Sequence, residues 1–479
     1  MLRGRHKSVE HRQGRISKSA AGGGFSRSSD EDAVMALERR AGRVQSGKSM
    51  TTPSGRKVRH RKINWHRTRG LSKLTPKHFL DAYQKVRRNA GGPGVDGVTL
   101  ADFALDLTGN LYTLWNRVTS GSYHPAAVRR KGIPKGNGQT RYLGIPTVGD
   151  RIVQQVIKDR IEYILEAEFM DCSYGYRPGR SQHDALQVVR LGVRQTSWVV
   201  DLDVSKFFDE MPHDLLRKAL DRHITDKQTR DLIDRWLEAP HQDEEGQLHY
   251  PQGVGTPQGG VVSPLLSNLF LHYTLDKWMA INRPEEKLVR YADDAIIFCH
   301  SRTRAEMVKR LVEERFRACG LRLHHEKTRI VFCKRSNNAS SHENISFDFL
   351  GYRFKPCSKR TQSGKLFTSF DGAMSPKKKK LKTAEFRAMK FHLWNTTTLE
   401  KIAEVLNPIL RGILNYYGRF NPHGMESVMM AVNDRLCKWA SRKYRKVGKS
   451  IHRVRKWLRT TATRRPELFA HWQWGFTYI

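Results

Sequence analysis

The sequence is short of acid. Its 479 residues carry 47 aspartates and glutamates against 86 lysines and arginines, a net charge of +39. Such an excess repels itself unless a polyanion is the usual partner, which puts nucleic acid first and an anionic membrane surface second. A membrane is disfavoured by three absences: a basic amphipathic anchor at a terminus, an apolar run long enough to span a bilayer, and an apolar segment behind the basic N-terminus. Neither membrane insertion nor Sec-type export is expected. Paired cysteines are missing too. Cys172, Cys299, Cys319, Cys333, Cys357 and Cys437 form no CxxC pair, which argues against a zinc ribbon or a zinc-clasped nuclease module. Scattered single cysteines fit a reducing, cytoplasmic setting. Aromatics are scarce in residues 1–72, where only Phe25 and Trp65 stand among eighteen basic and five acidic residues. That stretch reads as a basic, largely disordered arm that touches RNA or serves as a solubilising tail. The remainder, in a chain that is 38% hydrophobic, has room for two or three domains.

What is present centres on Leu288–Cys299. Apolar, β-prone residues flank Tyr291-Ala292-Asp293-Asp294 on both sides, which predicts a hairpin with an acidic turn. Adjacent carboxylates between buried strands are costly unless a cation meets them, and hard oxygen ligands suit Mg²⁺. The plainer alternative is an Asp-rich turn. Upstream, Trp198–Val204 predicts a strand with Asp201 and Asp203 on one face and Val200, Leu202 and Val204 on the other. Between these lies a glycine-rich loop, Gly255–Gly260. It enters a helix for which Ser263 is the expected cap and Pro264 the first residue. Two-metal phosphoryl transfer needs carboxylates from separate strands brought together, and this layout supplies them.

Several further stretches carry polar chemistry. A helix capped by Thr75 precedes a loop over 91–97, and another helix is expected near Phe103–Val118. Residues 131–145 predict a hairpin with an Asn137-Gly138 turn that brings Lys135 and Arg141 together. Two cations there can clamp a triphosphate, or they are ordinary surface charges. A helix over Asp150–Phe169 leads to Ser173–Ser181. This segment mixes aromatics and glycines with Arg177 and Arg180, ingredients for stacking and phosphate contact. His324-His325, without cysteine partners, is weak evidence for a metal. Phe347–Tyr352 reads as a strand. Residues 377–465 hold twenty-three basic and five acidic residues, starting with Lys377, Lys378, Lys379 and Lys380. In a helix over Glu426–Lys446, Val428, Val432, Leu436 and Trp439 share one face, while Arg435, Lys438, Arg442 and Arg445 share another. Such a stripe is a nucleic-acid contact or a solvated face.

From about Trp65 onward the chain resembles the bacterial group II intron-encoded reverse transcriptase/maturase family. The motifs run NAGGPGVDG at 89–97, IPKGNGQTRYLGIPTVGDR at 133–151, SYGYRPGRS at 173–181 and DVSKFFD at 203–209. They continue with GTPQGGVVSPLLSN at 255–268, YADD at 291–294, HHEKT at 324–328 and FLGY at 349–352. RGILNYYGRF at 411–420 and LFAHW at 468–472 are similar to the family's thumb, or maturase X domain.

The resemblance implies an α+β right-hand polymerase, with fingers over 73–195, palm over 196–355 and an α-helical thumb/maturase domain over 356–479. It implies Asp203, Asp293 and Asp294 as catalytic carboxylates holding Mg²⁺, with Asp203 and Asp293 binding most directly. Lys135 and Arg141 would clamp the incoming dNTP, Gln258 would contact it, and Lys327 would be the general acid for pyrophosphate. Phe208 would exclude a ribose 2′-hydroxyl. An RNA template, a DNA primer, group II intron RNA and target DNA are the implied partners, with a homodimer left open. The expected activity is RNA-directed DNA synthesis joined to maturase function. The rivals are an RNA-binding splicing cofactor without polymerase activity and a free-standing reverse transcriptase of repair or defence. The long basic arm and the lack of an HNH-like nuclease after the thumb depart from the family pattern, and insertion would then depend on a primer supplied some other way.

Overall fold

The computed structural model describes residues 70–134, 140–336, 342–444 and 450–477. The expected basic arm lies almost wholly outside them, as do Lys135, the Asn137-Gly138 turn and Arg445.

A 3₁₀ turn over Leu71–Lys73 leads to Thr75, whose backbone N–H donates to His78 Nδ1 and closes the start of α1 (Pro76–Arg88). The single helix expected near Phe103–Val118 is two, α2 (Leu100–Leu105) and α3 (Leu107–Thr119). Asp106 leaves helical geometry between them, and its carboxylate accepts from Gly109 N–H as the cap of α3. β1 (Val128–Pro134) and β2 (Thr140–Ile145) form an antiparallel hairpin with Ile133 opposite Arg141. α4 (Val148–Glu166) is capped by Thr147 and crosses the core. α5 (Gln182–Gln195) starts in a reciprocal cap between Ser181 and Asp184.

β3 (Trp198–Leu202) ends just before Asp203, and β4 (Val204–Ser205) leaves for a separate ladder. α6 (Phe207–Glu210), α7 (His213–His223) and α8 (Lys227–Glu238) follow. β5 (His241–Gln242) and β6 (Leu248–His249) extend the β1–β2 hairpin into a four-stranded sheet. α9 (Ser263–Leu271) is buried on every side and runs through a π-helical turn, His272–Asp276, into α10 (Lys277–Asn282). Ser263 is its first residue rather than its cap. The Ser263 hydroxyl donates inward to the Pro257 carbonyl and accepts from Thr256, so it braces the glycine-rich loop.

The central sheet adds β7 (Leu288–Tyr291), β8 (Asp294–Cys299) and, after α11 (Arg302–Ala318) and β9 (Arg322–Leu323), β10 (Arg329–Phe332). Its order is β10-β3-β8-β7, antiparallel throughout. Both faces are covered. Val200, Leu202, Ala295 and Ile297 enter one core with α4 and α9, while Val199, Ile296, Phe298 and Val331 enter a second core with α5 and the C-terminal elements. Double coverage is why these strands read as unbroken apolar runs. α5 packs on the second face, with Gly192 so close to Phe298 that a Cβ would come within 2.4 Å of the ring. It packs on the sheet from a position just before the expected palm boundary at 196.

The stretch expected as one strand over Phe347–Tyr352 is instead a tight hairpin. β11 (Phe347–Phe349) turns through Leu350 and Gly351, both at positive φ, into β12 (Tyr352–Arg360), which pairs with β13 (Leu366–Met374). The C-terminal helices are α12 (Pro376–Ala388), α13 (Leu399–Tyr417), α14 (Glu426–Lys443), α15 (Ile451–Arg464) and the single turn α16 (Ala470–Gln473). α14 buries Val428, Val432, Leu436 and Trp439. Among the described residues no helix is long and apolar enough to cross a membrane.

Candidate active site

The register of the central sheet brings the acidic residues together. Leu202 stands opposite Ala295 and Tyr291 opposite Asp294, so Asp203 leaves β3 beside the Ala292-Asp293 turn. By strand alternation Asp201, Asp203 and Asp294 share the face that carries Val199, Ile296 and Phe298. Where the apolar residues of that face stop, the carboxylates begin. The backbone of Asp203 is pinned: its carbonyl accepts from His324 N–H at 2.8 Å and from the Thr328 hydroxyl at 3.2 Å, and its N–H donates to Thr328 Oγ1 at 3.3 Å.

The carboxylates repel one another. Burial raises the pKa of Asp293, and Asp203 adds to the rise against opposing pulls from Arg141 and Arg290. Asp294 opens to the cleft, yet desolvation together with Asp293 and Asp203 pushes it up to about 7. Asp201, beneath them, is likewise pushed up to about 7 by burial, with Arg329 opposing. Lys327 Nζ lies 3.3 Å from Asp203 Oδ1. Among the described residues no three His, Cys, Asp or Glu side chains already form a ligand cluster. The donors are all hard oxygens whose mutual repulsion a divalent cation would relieve, so the residues fit such an ion once Asp203 exchanges Lys327 for it.

On the neighbouring wall, Arg141 Nε donates to Gln258 Oε1 at 2.9 Å, and Gln258 Nε2 reaches Asp209 at 3.5 Å. This chain of contacts joins the β1–β2 hairpin, the glycine-rich loop and the segment after β3. Phe207 is in the core at 3% exposure, while Phe208 is only half-buried and packs edge-on against it. The Phe208 carbonyl accepts from Thr256 N–H at 2.8 Å, which ties it to the same loop.

The basic residues divide. Arg177 is not available to a nucleic acid, which corrects its expected role. Its side chain is 3% exposed, forks Glu166 and donates to the carbonyls of Phe169, Met170 and Ser173. Arg180 is half-buried, paired with Asp171 and stacked over Tyr174. Lys377, Lys380, Lys438 and Arg442 are exposed, whereas Lys378, Lys379 and Arg435 are half-buried. A cleft of about 850 Å³ separates α12 from α13 and includes Asp294, Lys377, Lys378, Lys382, Ile409 and Tyr416 in its walls.

Sequence reasoning passed over Arg290 and Gly175. The signal for Arg290 was there, a cation inside the apolar run Leu288–Tyr291, tolerated only with a buried counter-charge. Gly175 carries no such mark. Its requirement comes from Ala292, whose backbone nitrogen would lie 2.4 Å from a Cβ at 175.

An antiparallel sheet that gathers carboxylates from a strand end and a hairpin turn, facing a basic helical cleft, defines a template-dependent polymerase of the right-hand class. Residues 133–354 match the reverse transcriptase (RNA-dependent DNA polymerase) family, and residues 380–459 match the group II intron maturase-specific domain. Protein YkfC of Escherichia coli is 34% identical over 339 residues, covering 62% of this chain and 84% of that protein. The group II intron-encoded protein LtrA of Lactococcus lactis is 35% identical over 209 residues, covering 43% of this chain and 34% of that protein. A solved telomerase from Candida albicans aligns with a TM-score of 0.42 at 11% identity, over 78% of this chain and 69% of that one. The chain belongs to the group II intron-encoded reverse transcriptase/maturase family, with an RNA-directed DNA polymerase domain followed by a maturase domain.

Proposed function

We propose that this chain extends a DNA primer on an RNA template with Mg²⁺ at Asp203, Asp293 and Asp294, and that it binds group II intron RNA to assist splicing. In this reading target DNA provides the primer for intron mobility, and the protein works in the cytoplasm. The observation that carries the proposal is the approach of Asp203 to the Ala292-Asp293 turn at one end of the central sheet.

The reaction joins the primer 3′-oxygen to the α-phosphorus of a dNTP and breaks the bond to pyrophosphate. Bound divalent ions supply activation of the 3′-hydroxyl and neutralisation of the departing pyrophosphate. Arg141 grips the triphosphate with Lys135. Gln258, already oriented by Arg141 and Asp209, contacts the incoming nucleotide. Phe208 presents its ring where a 2′-hydroxyl would stand. Lys327 delivers a proton to pyrophosphate once it leaves Asp203. Fingers over 73–195, palm over 196–355 and thumb over 356–479 are the working division. The exposed Lys377, Lys380, Lys438 and Arg442 hold phosphates of the template–primer or intron RNA, with Lys378, Lys379, Arg180 and Arg435 beside them.

Primer extension on an RNA template with Mg²⁺ and dNTPs, wild type beside Asp293→Ala, tests this. Extension lost in the variant supports the polymerase. A folded wild type that extends nothing leaves an RNA-binding maturase.

A further inference from the structure

Arg290 stands directly before the acidic turn, and its side chain is wholly buried. Its guanidinium is fully spent. Nε and Nη2 fork Asp276 at 2.7 and 2.5 Å, and Nη2 also donates to Ser173 Oγ at 2.8 Å. Nη1 donates to Asn268 Oδ1 and to the carbonyl of Ala292, each at 2.9 Å.

That last contact reaches the turn itself. Ala292 is the first of its two central residues and has a φ of +56°, a conformation that suits glycine and costs an L-residue. An alanine there has to be held from outside, and it is held on two sides. Arg290 takes its carbonyl. Gly175 lets the 172–175 segment lie against its nitrogen, an approach that a Cβ would forbid. The segment is fixed in turn by Tyr174 N–H to the Arg290 carbonyl and Arg290 N–H to the Cys172 carbonyl, both at 2.8 Å, and by Asn268 Nδ2 to the Gly175 carbonyl at 2.7 Å.

Asp276, which pairs with Arg290, closes the π-turn over His272–Asp276 that continues the helix from Ser263. Such turns are rare and gather at functional sites. Stability alone does not account for the pair, since a well-packed apolar pair is commonly as stable as a buried ion pair. What an apolar pair cannot supply is a donor aimed at the Ala292 carbonyl.

We propose that Arg290, locked by Asp276, is a positioning residue that fixes the Ala292-Asp293 turn and so sets Asp293 and Asp294 against Asp203. This rests on the polymerase reading above. It also gives the Ser173–Gly175 part of the SYGYRPGRS motif a role as a brace for the turn.

The test compares wild type with Asp276→Leu/Arg290→Met, which replaces both charges with apolar side chains, and with Arg290→Lys, which keeps the ion pair but loses the fork. Template–primer affinity and KM for dTTP should stay within about twofold, while kcat falls by about 10²-fold, the cost of a small misplacement. Mn²⁺ affinity, read by electron paramagnetic resonance on the template–primer complex, should weaken in parallel. A variant that melts like wild type and keeps both kcat and Mn²⁺ affinity overturns the proposal. Arg290→Lys decides the matter if the double variant does not fold. Should wild type extend no primer, the polymerase reading fails, while the Mn²⁺ measurement still reads the positioning of the turn.

Discussion

Lys327 Nζ lies 3.3 Å from one carboxylate oxygen of Asp203 and 3.4 Å from the other. The strand carboxylate is therefore paired from within the chain, while among the described residues Asp293 and Asp294 on the turn form no ion pair with a lysine or arginine. A divalent ion entering the site competes with Lys327 for Asp203, and the lysine it displaces is free to meet a departing pyrophosphate.

Lys327→Ala should therefore move two quantities in opposite senses. Half-saturation by Mn²⁺ without nucleotide should come at a lower concentration, because the competitor is gone. The rate of primer extension should fall by about 10–10²-fold, the usual worth of a general acid. Metal titration and single-turnover kinetics check the pair, and a variant unchanged in both would show that the contact is an ordinary surface pair.

Phe208→Ala should relax the sugar preference. The half-buried ring is tied through its backbone to Thr256, so its loss opens space without unravelling the loop. The ratio of kcat/KM for dNTP over rNTP is expected to drop by about 10²-fold. An unchanged ratio would place the ring in packing alone.

Arg177→Ala should harm folding and leave RNA affinity alone. Removing the guanidinium strands Glu166 and the carbonyls of Phe169, Met170 and Ser173, a loss of roughly 3–5 kcal/mol by analogy with broken buried pairs. Lys438→Ala and Arg442→Ala should do the reverse, keeping the melting temperature while each lowers the slope of log affinity against log salt by about one. Denaturant titrations beside filter binding at several salt concentrations separate the two kinds of residue.

Acid should destabilise the C-terminal core above the range where carboxylates usually titrate. His471 is buried, its Nε2 bonds Asn433 Oδ1 at 2.7 Å, and desolvation drives its pKa from 6.5 down to about 3. The folded ring is then neutral where the unfolded one is protonated, so the unfolded chain binds the extra proton. Stability is held above 6.5 and falls on acidification towards 3, at up to about 1.4 kcal/mol per pH unit. Asp371, held near 2 by Arg190 and Lys359 against the cost of its burial, adds a loss of the same sign below its ordinary 3.8. Unfolding midpoints from pH 8 to 5, compared with His471→Gln, should show a flatter profile in the variant.

The acidic hairpin was legible because its signal is local. Apolar strands, a two-residue turn and alternation of faces all follow from neighbours in sequence, and the register of Tyr291 opposite Asp294 agrees. The cap of α1 at Thr75 was legible for the same reason. The misreadings share a different cause. Asp106 divides α2 from α3, and Leu350-Gly351 folds a strand into a hairpin, through single residues that leave the regular geometry around them. Arg177 looked like a phosphate contact because composition cannot tell a basic residue facing solvent from one facing Glu166.

The sequence by itself determined the chemistry available: a strongly basic chain, hard oxygen donors on two strands, and an ordered set of motifs shared with one family. Tertiary structure decided how those groups meet. It paired Asp203 with Lys327, turned Arg177 inward, and set Asp276, at the end of a π-turn, against Arg290 behind Ala292. Periodicity reports which face of an element a residue takes. Which partner waits on that face depends on elements far away in the chain, and burial makes that partner matter by raising the cost of leaving a charge unmet.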